Sequence, residues 1–339
     1  MSQNNNTTLS LPTRLLCYIG PPSTILLTSL ASPKTALLTP LTFLTPAFFY
    51  KKWRESNTSQ PSRHGGLEPM IWTFTAAGTL GLSAVAAVQW GICRGASFLV
   101  FAGEGGGGLR EEYWEEVWRG TVEGLAPEVL ARRAEMVGMW QHWVFMGVFT
   151  FIAAGVMEES LKFLPVVYAR RKGTVETRKR RTRAYLDYIL AGALSFGLVE
   201  SVAFLYACEE GNESWGGLAL TAFERVVLGQ LGHLSIAALT ALRAIRSDYG
   251  GSKDRMRWWE VIAPSAVLHG ASNFMALAAS SAEGNVGWIH PTGVWNVVGL
   301  LGGMLGMHSI AAWQVWKEWK ELKRREGNDK SEEDEGAGK

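Results

Sequence analysis

The chain has 339 residues, a formal net charge of +2 and a mean hydropathy of +0.04. The average hides segregation: long apolar runs alternate with dense charge clusters, which excludes a uniformly soluble chain and favours one multi-pass membrane domain, since a span needs about 20 apolar residues. Three cysteines without CxxC spacing (Cys17, Cys93 and Cys208) exclude a disulfide framework and a cysteine metal site, and no nucleic-acid partner is expected.

In chain order, an N-terminal segment (1–69) holds a first apolar run at 24–50. Pro33, Pro40 and Pro46 interrupt it, so a broken or re-entrant element is expected. The N-terminus lacks the basic region of a secretory signal, which favours an internal signal anchor. Six further runs follow at 70–101, 141–169, 187–207, 218–242, 260–279 and 291–316. The fold class is therefore all-α, a multi-pass transmembrane helix bundle of about seven spans. Its membrane-embedded domain covers 70–316, with a motif core at 140–280. Many of the fifteen tryptophans flank these runs, where amphipathic rings settle at membrane interfaces. The acidic loop 104–139 opens on Gly105 to Gly108, read as a flexible linker because no Lys-Ser/Thr follows, and continues as a short amphipathic helix. The last span carries Gly299, Gly302, Gly303 and Gly306, a small-residue spacing suited to close helix contact. The tail 317–339 reads as cytosolic and partly disordered.

Loop charges alternate at every crossing. Residues 51–63 carry four basic residues against Glu55, 170–183 eight against Glu176, and 243–257 five against Asp248 and Asp254. The other loops are acidic: eight glutamates against four arginines in 104–135, three glutamates in 208–217, and Glu283 alone in 280–290. The basic loops and the C-terminus are expected in the cytosol, in an organelle the sequence does not name. The sequon Asn212-Glu213-Ser214 then falls on the non-cytosolic side, close to the membrane.

Four consecutive spans carry polar groups that a membrane should exclude. Glu158-Glu159-Ser160-Leu161-Lys162 lies in one, Phe196 and Glu200 in the next, then His233, then His269 and Asn273. At 1.5 Å of rise per residue, Glu158 lies about 18 Å from the cytosolic end, Glu200 about 20 Å, His233 about 15 Å, and His269 and Asn273 about 14 and 20 Å. Antiparallel helices thus deliver these groups to one layer. Phe196 with Glu200, and His269 with Asn273, share a helix face at i,i+4 spacing. Singly, each has a packing explanation: Glu158 pairing with Lys162, a packed His233, Asn273 as helix glue. Together at one depth they point to a hydrated site. Glu224 and Arg225 are read as pairing or facing water, His308 as packing, and His142 and His290 as lying away from the cluster.

A carboxylate beside a second acid or a histidine takes a proton from water, and Glu158 or Glu159 is the candidate base. Asn273 and a histidine supply donors for the oxyanion of an attacked amide. Zinc held by His233, His269 and Glu200 is the alternative, although HExxH is absent.

In these residues the chain resembles the PrsW family of intramembrane proteases, related to the CAAX prenyl endopeptidases. The family order is EExxK, FxxxE, a His, then a His four residues before Asn or Asp. Here it reads Glu158-Glu159-Ser160-Leu161-Lys162, Phe196-Gly197-Leu198-Val199-Glu200, His233, and His269-Gly270-Ala271-Ser272-Asn273. The resemblance implies a multi-pass intramembrane endopeptidase whose substrates are membrane-anchored proteins in the lipid bilayer. By analogy with the CAAX enzymes, Glu158 activates water and His269 with Asn273 stabilises the oxyanion. Members are often labelled metalloproteases. The family commonly has Asn after the second-motif Glu, where this chain has Ser201. A proton-coupled transporter or channel, and an inactive scaffold that binds transmembrane helices, are the competing readings. The inverted repeats usual in transporters are not visible.

Overall fold

The computed structural model describes residues 9–59, 66–103, 106–172, 182–210 and 215–337. It contains α-helix, short π and 3-10 turns and, among the described residues, no strand. The sequon at 212–214, much of the basic stretch 170–183 and the end of 51–63 lie outside these residues.

Six helices are long and apolar enough to cross a membrane, which makes the chain an integral membrane protein: α4 (Leu67–Val100), α7 (Trp140–Arg171), α8 (Thr182–Glu210), α9 (Trp215–Tyr249), α10 (Trp258–Ser281) and α11 (Val294–Ala337). The expected seventh, at 24–50, resolves instead into shorter pieces: α1 (Leu11–Ala31), α2 (Pro33–Thr42) and α3 (Leu44–Ser59). Ser32 is extended and its hydroxyl accepts from the Thr35 amide, while Pro33 opens α2, so the chain breaks where proline cannot continue a helix. Thr39 donates to the Thr28 hydroxyl across the break at 3.1 Å. Thr13 then fastens α1 to α4 through Glu68 (2.5 Å) and Trp72 Nε1 (3.1 Å). Backbone helicity continues through the charged tail to Ala337, beyond the point where the sequence favours disorder.

Helix α8 is the centre of the bundle. Two-thirds of its apolar window is buried, against 6% for α4 and 11% for α11. Its Tyr185, Tyr188 and Ile189 pack with Ala241, Leu242, Val261 and Ile262 of α9 and α10. At the basic end, Arg170 holds Asp248 with two bonds (2.7 and 2.8 Å) and Tyr185 donates to the same carboxylate. Arg243 and Arg246 both reach Glu318 of α11.

Three of the six spans, α4, α7 and α9, contain π-helical turns, at Ala77–Gly81, Val148–Val156 and Phe223–Gly229. Such turns concentrate at functional sites. Within the second, α7 and α10 nearly touch. A Cβ on Gly155 would stand 2.5 Å from the Ala266 carbonyl, and one on Gly270 would stand 2.5 Å from the Phe151 ring. Only glycine allows this approach, and it brings Glu158 and His269 together. The glycines of α11 behave differently. Gly303 meets Met275, but Gly299, Gly302 and Gly306 have open space where a Cβ would stand, so they make no close helix contact.

The acidic loop folds as α5 (Gly106–Val117) and α6 (Pro127–Gly138). Tyr113 and Met136 are fully buried against Phe145 and Met146. Tyr113 Oη and Ser281 Oγ take the two ring nitrogens of His142, each at 2.9 Å, away from the acidic cluster as expected. Arg133, 1% exposed, donates to Glu116, which also receives Arg119 at 2.7 Å. Hydrogen bonds from Arg119, opposed by burial and reinforced by Arg133, hold the Glu116 carboxyl below the usual carboxylate range. With the folded value below the unfolded one, this contribution is present above the unfolded value of about 4.3 and lost as pH falls through the folded one. Protection from hydrogen exchange across 106–138, taken relative to the intrinsic rate at each pH, should therefore fall below about pH 4. Glu116→Gln should exchange faster at neutral pH and show a weaker acid response; an unchanged profile would contradict the assignment.

Candidate functional site

The four polar segments meet between α7, α8, α9 and α10. Glu159 is fully buried, and its Oε1 accepts from Lys162 Nζ at 2.8 Å and from His269 Nδ1 at 2.9 Å. Lys162 is 2% exposed. Its ammonium also reaches His233 Nδ1 at 3.1 Å and Glu158 Oε2 at 3.5 Å, and lies 5.3 Å from the Phe196 ring centre. His233 Nε2 meets Glu200 Oε2 at 2.7 Å.

These contacts assign the histidine protons. An ammonium only donates, so His233 Nδ1 accepts and Nε2–H donates to Glu200. Glu159 only accepts, so neutral His269 carries its proton on Nδ1 and turns a lone pair outward on Nε2. That lone pair faces Glu158 Oε2 at 3.6 Å. The oxygen is buried and makes no hydrogen bond to the protein, while Glu158 Oε1 accepts from Gln89 Nε2 of α4 at 3.0 Å. Two acceptors thus face each other across a gap suited to a donor that serves both. Each of the adjacent glutamates keeps one buried oxygen without a hydrogen bond, and they are distinguished by what they face: Glu159 Oε1 holds Lys162 and the His269 Nδ1–H, while Glu158 Oε2 faces His269 Nε2.

A cavity of about 50 Å³ opens beside His269, lined also by Glu200, Arg225, His233, Ser272, Asn273 and His308. One water needs only about 10–15 Å³ of such volume. Asn273 makes no hydrogen bond to the protein among the described residues, so its amide is free to donate into the cavity. Ser201, where the family pattern has Asn, donates to the carbonyls of Gly197 (2.5 Å) and Arg225 (3.2 Å). It fastens α8 to the π-turn of α9.

All eight sequence candidates (Glu158, Glu159, Lys162, Phe196, Glu200, His233, His269 and Asn273) stand in this neighbourhood. Three residues escaped that reading. Gln89 was one amide in an otherwise apolar span. His308 reaches the cavity rather than merely packing. Arg225 lines it too, although its neighbour Glu224 turns away to His290 (3.1 Å). The signal available for each was a polar residue in an apolar run, with no spacing partner to single it out.

A model of the PrsW family of intramembrane metalloproteases matches residues 83–304, a stretch that holds Gln89 and every motif residue. No curated protein and no solved structure gives a match.

The donor set does not fit the zinc that the word metalloprotease implies. A catalytic zinc takes three protein ligands. His233 has both nitrogens engaged, Glu200 Oε2 is bonded to His233, and the Lys162 ammonium stands among the carboxylates. Glu158 Oε2 and Glu159 Oε2 make no hydrogen bond, but both carboxylates are ion-paired with Lys162, and of the His233 and His269 nitrogens only His269 Nε2 is without a hydrogen bond. Glu200, His233 and His269 form no three-ligand cage, and no other such group exists among the described residues.

Lys162→Met leaves the enclosed Glu159 carboxylate without its cation. Removing one partner of a buried pair costs about 3–5 kcal/mol. The thermal midpoint in detergent should drop clearly; an unchanged midpoint would contradict the central place of the ammonium.

Proposed function

We propose that this chain, which belongs to the PrsW family of intramembrane metalloproteases, is an endopeptidase that cuts membrane-associated proteins with water activated by Glu158. The observation that carries the reading is the unbonded Glu158 Oε2 facing the His269 Nε2 lone pair at 3.6 Å. A water near both donates one hydrogen to each and keeps its own lone pairs for attack.

Glu158 takes the proton as the water oxygen bonds to the scissile carbonyl carbon. The carbonyl oxygen becomes an oxyanion, met by the Asn273 amide from the cavity wall. The C–N bond then breaks, and Glu158 returns the proton to the leaving amine. Glu159 and Lys162 do not touch substrate. Glu159 holds His269 in the tautomer that accepts from water, and Lys162 supplies the countercharge for the glutamates around it. Glu200 and His233 orient one another and the ammonium. The loop charges support basic loops and C-terminus in the cytosol, which puts the site about 14–20 Å from the cytosolic helix ends, near the middle of the bilayer.

The test compares membrane proteomes of cells carrying the wild-type chain or Glu158→Gln at equal abundance. Fragments present with wild type should vanish with the variant. Glu159→Gln should retain a small fraction of the cleavage, because it disturbs His269 rather than the reacting atoms. Identical fragments with wild type and Glu158→Gln would overturn the assignment, and pH-gradient-driven flux in vesicles would favour a transporter instead. A membrane-permeant chelator should leave cleavage by wild type intact; loss reversed by added zinc would contradict the metal-free route.

A further inference from the structure

A charged side chain within a span is costly and is normally committed to a partner or a pathway. Arg225 is only loosely committed. Its Nη1 is 3.6 Å from Glu200 Oε1, beyond hydrogen-bond reach, and the other oxygen of Glu200 belongs to His233. Its sequence neighbour Glu224 is occupied by His290, at 3.1 and 3.2 Å. Among the described residues the five guanidinium donors make no hydrogen bond, an unusual state for an arginine so enclosed. Its side chain is 15% exposed, and it lines the cavity that also holds His269 and Asn273.

The group is nevertheless held in place. The guanidinium carbon lies 3.4 Å from the centre of the Phe204 ring and 5.3 Å from that of Trp288. Phe204 follows Glu200 by one turn, so α8 presents the acid and the aromatic platform on one face. The Arg225 carbonyl accepts from the Gln230 amide and from Ser201 Oγ, which fixes the π-turn bearing the side chain. A stacked guanidinium has its plane set and its N–H fork preorganised, the arrangement that recognises a carboxylate through two parallel bonds.

We propose that Arg225 is the carboxylate-binding residue of this cleft, holding a negatively charged group of the peptide beside the water-activating pair. The proposal rests on the peptidase reading for its ligand class and adds a specificity to it. The carboxylate binds through the donors that Glu200 leaves free, with Phe204 beneath the guanidinium. Its source is either the C-terminus of a chain cut near its end or an Asp or Glu side chain near the scissile bond. Both have the same chemistry, and the experiment separates them.

Binding is read by thermophoresis on full-length protein in detergent, in a Glu158→Gln background so that no peptide is cut. Three apolar peptides of one sequence are compared: one with a free C-terminal carboxylate, one amidated with a single internal Glu, and one amidated and neutral. At least one carboxylate peptide should bind about tenfold or more tighter than the neutral one, the worth of a charge-assisted hydrogen-bond pair. Preference for the first identifies a chain end, and for the second an acidic side chain. Arg225→Gln in the same background should abolish the preference. Arg225→Lys should keep a reduced one, since an ammonium offers charge without the fork. Thermal midpoints of the unliganded variants report their folding, and Arg225→Lys carries the test if Arg225→Gln does not fold. Equal affinity for all three peptides, no binding of any, or a preference that survives in Arg225→Gln would overturn the proposal. Because no turnover is needed, a failed cleavage test leaves this result interpretable on its own.

Discussion

The structure depends on one buried ammonium. Lys162 stands where α7, α8, α9 and α10 converge and donates to Glu159 and His233, with Glu158 at 3.5 Å. Through these partners the order continues outward. Glu159 fixes His269, and His233 is fixed in turn by Glu200. The result is one hydrogen-bonded chain, Glu200–His233–Lys162–Glu159–His269, that crosses four helices. Within apolar surroundings such a chain is worthwhile only if its members are satisfied. At the end of this chain the outward nitrogen of His269 faces Glu158 Oε2, an oxygen that makes no hydrogen bond.

The backbone is shaped around this chain. The π-turns at Val148–Val156 and Phe223–Gly229 lie just before Glu158 and His233, where they reset the direction of the residues that follow. Gly155 and Gly270 let α7 and α10 approach to contact distance beside the same layer. Helix α8, enclosed on most sides, offers Phe196, Glu200 and Phe204 at successive turns of one face. Peripheral α4 reaches this cluster through Gln89, which donates to Glu158.

Much of this was legible in the sequence because depth and spacing are simple functions of helix geometry. Similar distances from the charged helix ends, about 14–20 Å, put Glu158, Glu200, His233 and His269 in one layer, and i,i+4 spacing put Phe196 with Glu200 and His269 with Asn273 on common faces. What stayed hidden depends on azimuth, which one-dimensional spacing does not carry. Glu158 and Glu159 are neighbours in sequence and differ only in which way each faces. The glycines of α11 have the spacing of a packing motif, yet three of the four face open space. Arg225 beside Glu224 could be read as pairing or facing water, and azimuth decides it: Glu224 goes to His290 while Arg225 faces the cavity. The prolines at 33, 40 and 46 did mark a break, but it yields three helices in place of one span.

The most direct measurement of the central claim is a density map that resolves ordered solvent around Glu158 and His269. The account predicts a water about 2.8 Å from both Glu158 Oε2 and His269 Nε2, with Glu159 on the opposite nitrogen of the ring. A map in which the Lys162 ammonium fills that position, or in which Glu158 points away from His269, would contradict it.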